Sequence, residues 1–113
     1  MDADPLAEFS FETRIIHWRG PSPFFYAPVP PQHVEELRRV ARAVTYGWGM
    51  VPVDAKIGEV AFTTALFPKD DTYLLPLKAT VRQKANITAG DLIDVEMTIQ
   101  GRDQVPLPPA GRG

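Results

Sequence analysis

Apolar and polar residues alternate from Glu8 to Trp18, EFSFETRIIHW. Phe9, Phe11, Thr13, Ile15 and His17 fall on one face, and Ser10, Glu12, Arg14, Ile16 and Trp18 on the other. A period of two marks a half-buried strand, because successive side chains on a pleated backbone point to opposite sides. RGPSP then has turn chemistry, and FFYAPV begins a second strand that Pro28 and Pro30 end, since proline brings no N–H to a ladder. The period changes over PQHVEELRRVARAV, residues 31–44. There Val34, Leu37, Ala41 and Val44 recur at helical spacing behind Pro31, which suits a first helical turn. Glu35 and Glu36 precede Arg38, Arg39 and Arg42, an order that complements the helix dipole and reads as a solvated outer face.

TYGWGM breaks the helix with Gly47 and Gly49, and a meander of three strands follows. Glycine favours the first central position of a two-residue hairpin turn, which places the first turn at Gly58 and Glu59. Ile57 then faces Val60, Ala55 faces Phe62, Val53 faces Thr64 and Val51 faces Leu66, so apolar residues meet apolar residues with Thr64 the exception. A second turn at Asp70 and Asp71 pairs Leu66 with Leu75 and Thr64 with Leu77. The wet face of the same meander carries Asp54, Thr63 and Lys78 in a row. After the turn NITAGD, the last strand, DLIDVEMTIQ, turns Ile93, Val95, Met97 and Ile99 inward and Leu92, Asp94, Glu96 and Thr98 outward.

Six strands and one helix predict a mainly β domain: a small six-stranded, mostly antiparallel barrel with the helix, residues 31–44, across an open end. Closure would remove the edges that short strands expose. Residues 1–7 are expected to be a flexible N-terminus, 8–101 the single barrel domain, and 102–113, rich in proline and glycine without periodicity, a mobile tail.

Composition narrows the chemistry. A net charge of −2 offers no general attraction to a nucleic-acid backbone. There is no cysteine, hence no disulfide, thiol nucleophile or thiolate metal site. MDADPLAEFSF is acidic where a secretory leader needs a basic start, and no apolar run approaches the roughly 20 residues that span a bilayer. A cytoplasmic protein without membrane association is expected. His17 and His33 fall on different predicted elements without carboxylates at ligand spacing, so no metal is expected. Neither a GxSxG elbow nor a glycine-rich phosphate loop is present, and no cofactor is expected.

Trp48, between two glycines, either plugs the end of the core or stacks on a ligand, and Tyr46 and Tyr73 are placed to line the same mouth. Lys69 and Lys78 flank the apolar run LFPKDDTYLLPLK. One in the turn and one near the end of the returning strand, they stand on the order of 20 Å apart, too far to share one small anion.

The segments YGWGMVPVDAKIG, FTTALFPKDDTYLLPLKATVR and ITAGDLIDVEM resemble a family of small bacterial proteins of unknown function, sometimes fused to an OmpD-associated, bacteriocin-protection-like domain. The resemblance runs from about Phe9 to Gln100 and implies a small β-barrel with no assigned activity. Its polar signature falls on Lys69, Lys78 and Arg82, without a catalytic role. ITAGDLIDVEM is also similar to the strand entry of swapped-hairpin transcription regulators, whose basic arms the acidic balance here does not match.

The resulting expectation is a non-enzymatic module that binds a small molecule or a protein through Trp48, Tyr46, Tyr73, Lys69, Lys78 and Arg82. Two alternatives come from other classes. One is an enzyme using Lys78 and Asp54 as an acid and base pair; the other is a weak nucleic-acid binder with Lys69, Arg82 and Lys84 as a short basic stripe. The sequence sets no oligomeric state, monomer or homodimer.

Overall fold

The computed structural model describes residues 5–18, 24–45 and 49–100. Seven antiparallel strands and two helices follow one another as β1 (Ala7–Arg14), β2 (Ile16–Trp18), β3 (Phe24–Pro28), α1 (Pro31–Ala41), β4 (Val51–Ile57), β5 (Val60–Lys69), β6 (Thr72–Pro76), α2 (Ala79–Ala85) and β7 (Leu92–Ile99). The sheet order is β1-β7-β4-β5-β6-β3-β2, curled into a half-barrel.

The hairpin of β4 and β5 has the register expected from its turn: Ile57 faces Val60, Ala55 faces Phe62, Val53 faces Thr64 and Val51 faces Leu66. Gly58 sits at φ +60°, the left-handed conformation that a residue with a Cβ reaches only at a steric cost. The second turn also holds, with Asp70 at φ +53° and Lys69 opposite Thr72, Pro68 opposite Tyr73 and Phe67 opposite Leu74. The described ladder stops there. The expected pairings of Leu66 with Leu75 and Thr64 with Leu77 are not part of it, because the ten-residue β5 changes partners along its length. Val60–Leu66 pairs with β4 and Phe67–Lys69 with β6.

Two expectations are corrected. The predicted strand from Glu8 to Trp18 is two strands, so the count is seven and not six. Phe9, Phe11, Thr13 and Ile15 are buried as the alternation requires, but the chain bends at Ile15, and β1 and β2 form opposite edges of the sheet. The bend is fixed from the far end of the chain: Ile15 N–H donates to the Asp91 carbonyl at 2.9 Å, and Gly90 N–H donates to the Ile15 carbonyl at 2.8 Å. Gly90 is at φ +91°, and the Asp91 carboxylate accepts the Thr88 N–H at 2.8 Å, which accounts for the glycine and aspartate of ITAGD.

The second correction concerns closure. No described ladder joins β1 to β3, so the barrel is open on that side; the Thr13 hydroxyl donates to the Pro28 carbonyl across the gap at 2.6 Å. Helix α1 packs against β1 and β6 and buries Val34, Leu37 and Ala41. Its regular part ends at Ala41, three residues earlier than the spacing suggests. Val44 is nevertheless buried, because a tightened last turn carries it inward through Val44 N–H to the Ala41 carbonyl at 2.9 Å. Helix α2, absent from the sequence reading, follows β6 directly.

Candidate functional site

The inward positions of the long strands are apolar apart from Thr13 and Thr64, so an unusual outward position is where a site would show. Along β2 and β3, Trp18 pairs with Phe24 and Ile16 with Tyr26, which puts these four side chains on one face of the ribbon. Trp18, Phe24 and Ile16 are 45%, 50% and 40% exposed, and Phe67 of β5 is 41% exposed. The rings form a series: Phe24 and Tyr26 have centroids 6.1 Å apart, and Tyr26 and Phe67 lie 6.4 Å apart at 17°. Leu74, paired with Pro28 and Phe67, is only 5% exposed although it stands outside the main core cluster. It points outward between Tyr73 and Leu75, which both belong to that cluster, with Phe67 and Pro28 as its cross-strand neighbours.

Two of the predicted cations meet this ribbon on opposite faces. Lys69 Nζ lies 4.7 Å from the centre of the Trp18 ring, on the outer face. The Arg82 guanidinium lies 3.8 Å from the centre of Phe25, whose side chain alternates with those of Phe24 and Tyr26 and packs against the core. Phe25 also stacks on His17 at 4.6 Å, and Arg82 Nε–H donates to the Leu77 carbonyl at 3.1 Å. A cation over an aromatic face contributes about 0.5–1 kcal/mol where exposed and more where desolvated. Lys69 and Arg82 thus clasp β2 and β3 rather than converge on one anion.

The other predicted site residues go elsewhere. Lys78 is exposed and is the residue ahead of α2, its carbonyl accepting the Arg82 N–H at 3.0 Å. Tyr73 is buried in the core, on the side of β6 away from Leu74. Trp48 and Tyr46 lie outside the described residues, and so does the mouth they were expected to line. His33 packs edge-on against Phe9 at 5.6 Å and near Phe11 at 5.8 Å, which gives it an aromatic partner's role. Among the described residues no group of three or more histidines and carboxylates is placed to hold a metal ion.

A second surface feature is a shallow groove of about 310 Å³ over β4, β5 and β7, lined by Pro52, Asp54, Thr63, Thr98 and Gln100 among others. Asp54 faces Thr63 as expected, but Thr98 and not Lys78 is the third member of the row. β6 ends at Pro76, which has no N–H to donate; one more bond, from Leu77 N–H to the Phe25 carbonyl at 2.9 Å, follows before Lys78 leaves the sheet. The proposed Lys78 and Asp54 pair is therefore not assembled.

With this geometry in view, residues 11–97, 87 of the 113, match the domain of unknown function DUF1905. The chain belongs to the DUF1905 family. No curated protein matches it. The DUF1905 region takes in the Ile15 bend, the Gly90 turn, both cation contacts and every ring of the aromatic face, from Trp18 to Phe67. No described helix of this DUF1905 protein is long and apolar enough to cross a membrane.

Sequence reasoning missed the aromatic face, although one signal for it was present. The hairpin register already turned Leu66 inward, and so turned Phe67 outward, where a strand with one wet face carries a polar residue. Trp18 was likewise assigned outward, and an apolar residue at a position the register makes wet is informative where a buried one is not.

Proposed function

We propose that this DUF1905 domain is a non-enzymatic binding module whose recognition surface is the outer aromatic face of β2, β3 and β5. The observation that carries the reading is the contiguity of half-exposed Trp18, Phe24 and Phe67 with Tyr26 between the last two. Scattered surface hydrophobics need no explanation, but a continuous apolar strip marks an interaction site. Aromatic rings are its natural material, since they present a large rigid area with few torsions to freeze on binding. Lys69, held over Trp18, adds a fixed positive charge at one end. The occupant is a small molecule or a protein segment; a bacterial source, a cytoplasmic setting and relatives fused to an OmpD-associated domain rest on the sequence resemblance and the acidic N-terminus.

The test is a thermal-shift screen of a metabolite library together with a peptide array, run on the wild type, Phe24→Ser and Phe67→Ser. Ligands that raise the melting temperature of the wild type, or array peptides that retain it, are expected to lose at least tenfold in affinity with both variants. Hits that bind both variants as tightly as the wild type would move the site off this face.

A further inference from the structure

We propose that the occupant of the aromatic face is a second copy of the same chain, the two outer faces packing together about a two-fold axis. The inference deepens the reading just given and rests on it. A small molecule is bound in a concave seat. Of the surface hollows among the described residues, neither the groove over β4, β5 and β7 nor the one beside Arg82 and Asn86 at the end of α2 is lined by a ring of the strip. The strip instead runs across neighbouring strands, from Phe67 on β5 over β6 to Tyr26 and Phe24 on β3 and Trp18 on β2, about 14 Å in all. A face of that breadth is covered by another protein surface.

Area and charge both suit a copy of itself. Trp18, Phe24, Phe67 and Ile16 are between 40% and 50% exposed and Tyr26 is half-buried, which leaves on the order of 400 Å² of apolar surface. A homodimer covers about 800 Å² on each partner, of which about 65% is apolar, so the strip supplies most of the roughly 500 Å² required. A two-fold contact lays each patch on itself, and a rim of one sign would repel its copy. Here Lys69, over the Trp18 ring, is followed by exposed Asp70 and Asp71, so the rim carries both signs. The net charge of −2 is too small to hold two copies apart in salt. Tyr26 lies between Phe24 and Phe67, 6.1 Å from one and 6.4 Å from the other. An axis passing by it sets each Phe24 against the other protomer's Phe67.

Faces, not edges, make the contact. Leu77 N–H donates to the Phe25 carbonyl, so Phe25 bonds towards β6, and Phe24 and Tyr26 bond towards β2. Ile16 and Trp18 are their partners, and Ile15 is held by Gly90 and Asp91. Among the described residues of β2, His17 alone turns its N–H and C=O to the open side, too little for a strand of a second copy to pair with.

The experiment is sedimentation equilibrium of the full chain from about 1 μM to about 1 mM. The mean mass should rise from that of one chain towards twice that value. Phe24→Ser and, independently, Phe67→Ser should each raise the dissociation constant at least about tenfold, with circular dichroism confirming a folded domain. In Trp48→Phe, whose sole tryptophan is Trp18, fluorescence emission should move to shorter wavelength over the same concentrations. Lys69→Glu, which makes residues 69–71 uniformly acidic, should weaken association more at low salt than at high. A single-chain mass at every concentration would overturn the proposal, and so would a dimer that neither serine variant weakens. A dimer weakened by Phe24→Ser but not by Phe67→Ser would be an edge pairing and would overturn it too. In each of these cases, screened ligands or peptides that still require Phe24 and Phe67 would leave the binding-module reading standing, whereas hits that bind both variants as well as the wild type would remove the face from consideration.

Discussion

Along β1, β7 and β4 the outward positions carry Glu8, Glu12, Asp94, Glu96, Asp54 and Lys56, whereas along β2, β3 and the end of β5 they carry Ile16, Trp18, Phe24, Tyr26 and Phe67. The first half of the sheet has ladders of up to eight residue pairs and a charged exterior, the ordinary arrangement for an antiparallel sheet with one wet side. The second half is built from ladders of three pairs each, which by themselves hold little, and it is reinforced from outside the ladder by Lys69 on Trp18 and Arg82 on Phe25. Regular pairing leaves the outer face free of structural duty on one side. On the other, the outer face presents rings to solvent beside the buried Leu74, and it is this face that the proposed function takes as a recognition surface.

The comparison is broken most severely through the shared core. Leu66, the last residue of β5 paired with β4, and Leu75 of β6 are both fully buried. Leu66→Ala and Leu75→Ala should each cost about 2–5 kcal/mol in urea unfolding, through lost burial and the cavity left behind. A cost confined to one of them would mean that the two halves do not fold as one unit. Thr13→Val removes the hydroxyl that crosses the open side and leaves the half-buried Pro28 carbonyl without that donor. A loss of about 1–3 kcal/mol is expected.

The three cations separate next. Arg82→Ala gives up a ring contact and a carbonyl bond and should destabilise by about 1–2 kcal/mol. Lys69→Ala gives up only a partly exposed ring contact, about 0.5–1 kcal/mol, and Lys78→Ala should change stability by less than about 0.5 kcal/mol. Equal effects at all three would contradict the placement of Lys78 outside the sheet. The smallest effect belongs to the charged half. Glu12 and Asp94 face each other across β1 and β7 with like charge, so Glu12→Lys should stabilise by a few tenths of a kcal/mol, more at low salt than at high. The sign and salt dependence of the melting temperature check it.

Local pattern and turn chemistry carried a good part of this fold. The β4 and β5 register followed from Gly58, the Asp70 turn from its flanking apolar runs, α1 from a helical repeat behind Pro31, and β7 from its alternation, because each depends on residues within one turn or one hairpin of each other. The candidate site was legible only in fragments. Lys69 and Arg82 were singled out, but the rings they hold were not, since Trp18 and Phe25 lie more than forty residues away from them in sequence.

Tertiary structure alone decided the rest. The alternation from Glu8 to Trp18 states which side chains share a face but not which strands lie beside them. Only the hydrogen bonds that Ile15 exchanges with Gly90 and Asp91 convert one strand into two opposite edges there. Helix α2 buries a single residue of its own, Val81, over seven positions, too few for a periodic signal. It exists because the chain leaves the sheet after Leu77, because Asn86 caps it at φ +59°, and because Arg82 has Phe25 to pack on. Periodicity is a property of one segment, whereas an edge, a bend and an aromatic face are properties of which segments meet, and no single segment encodes its neighbours.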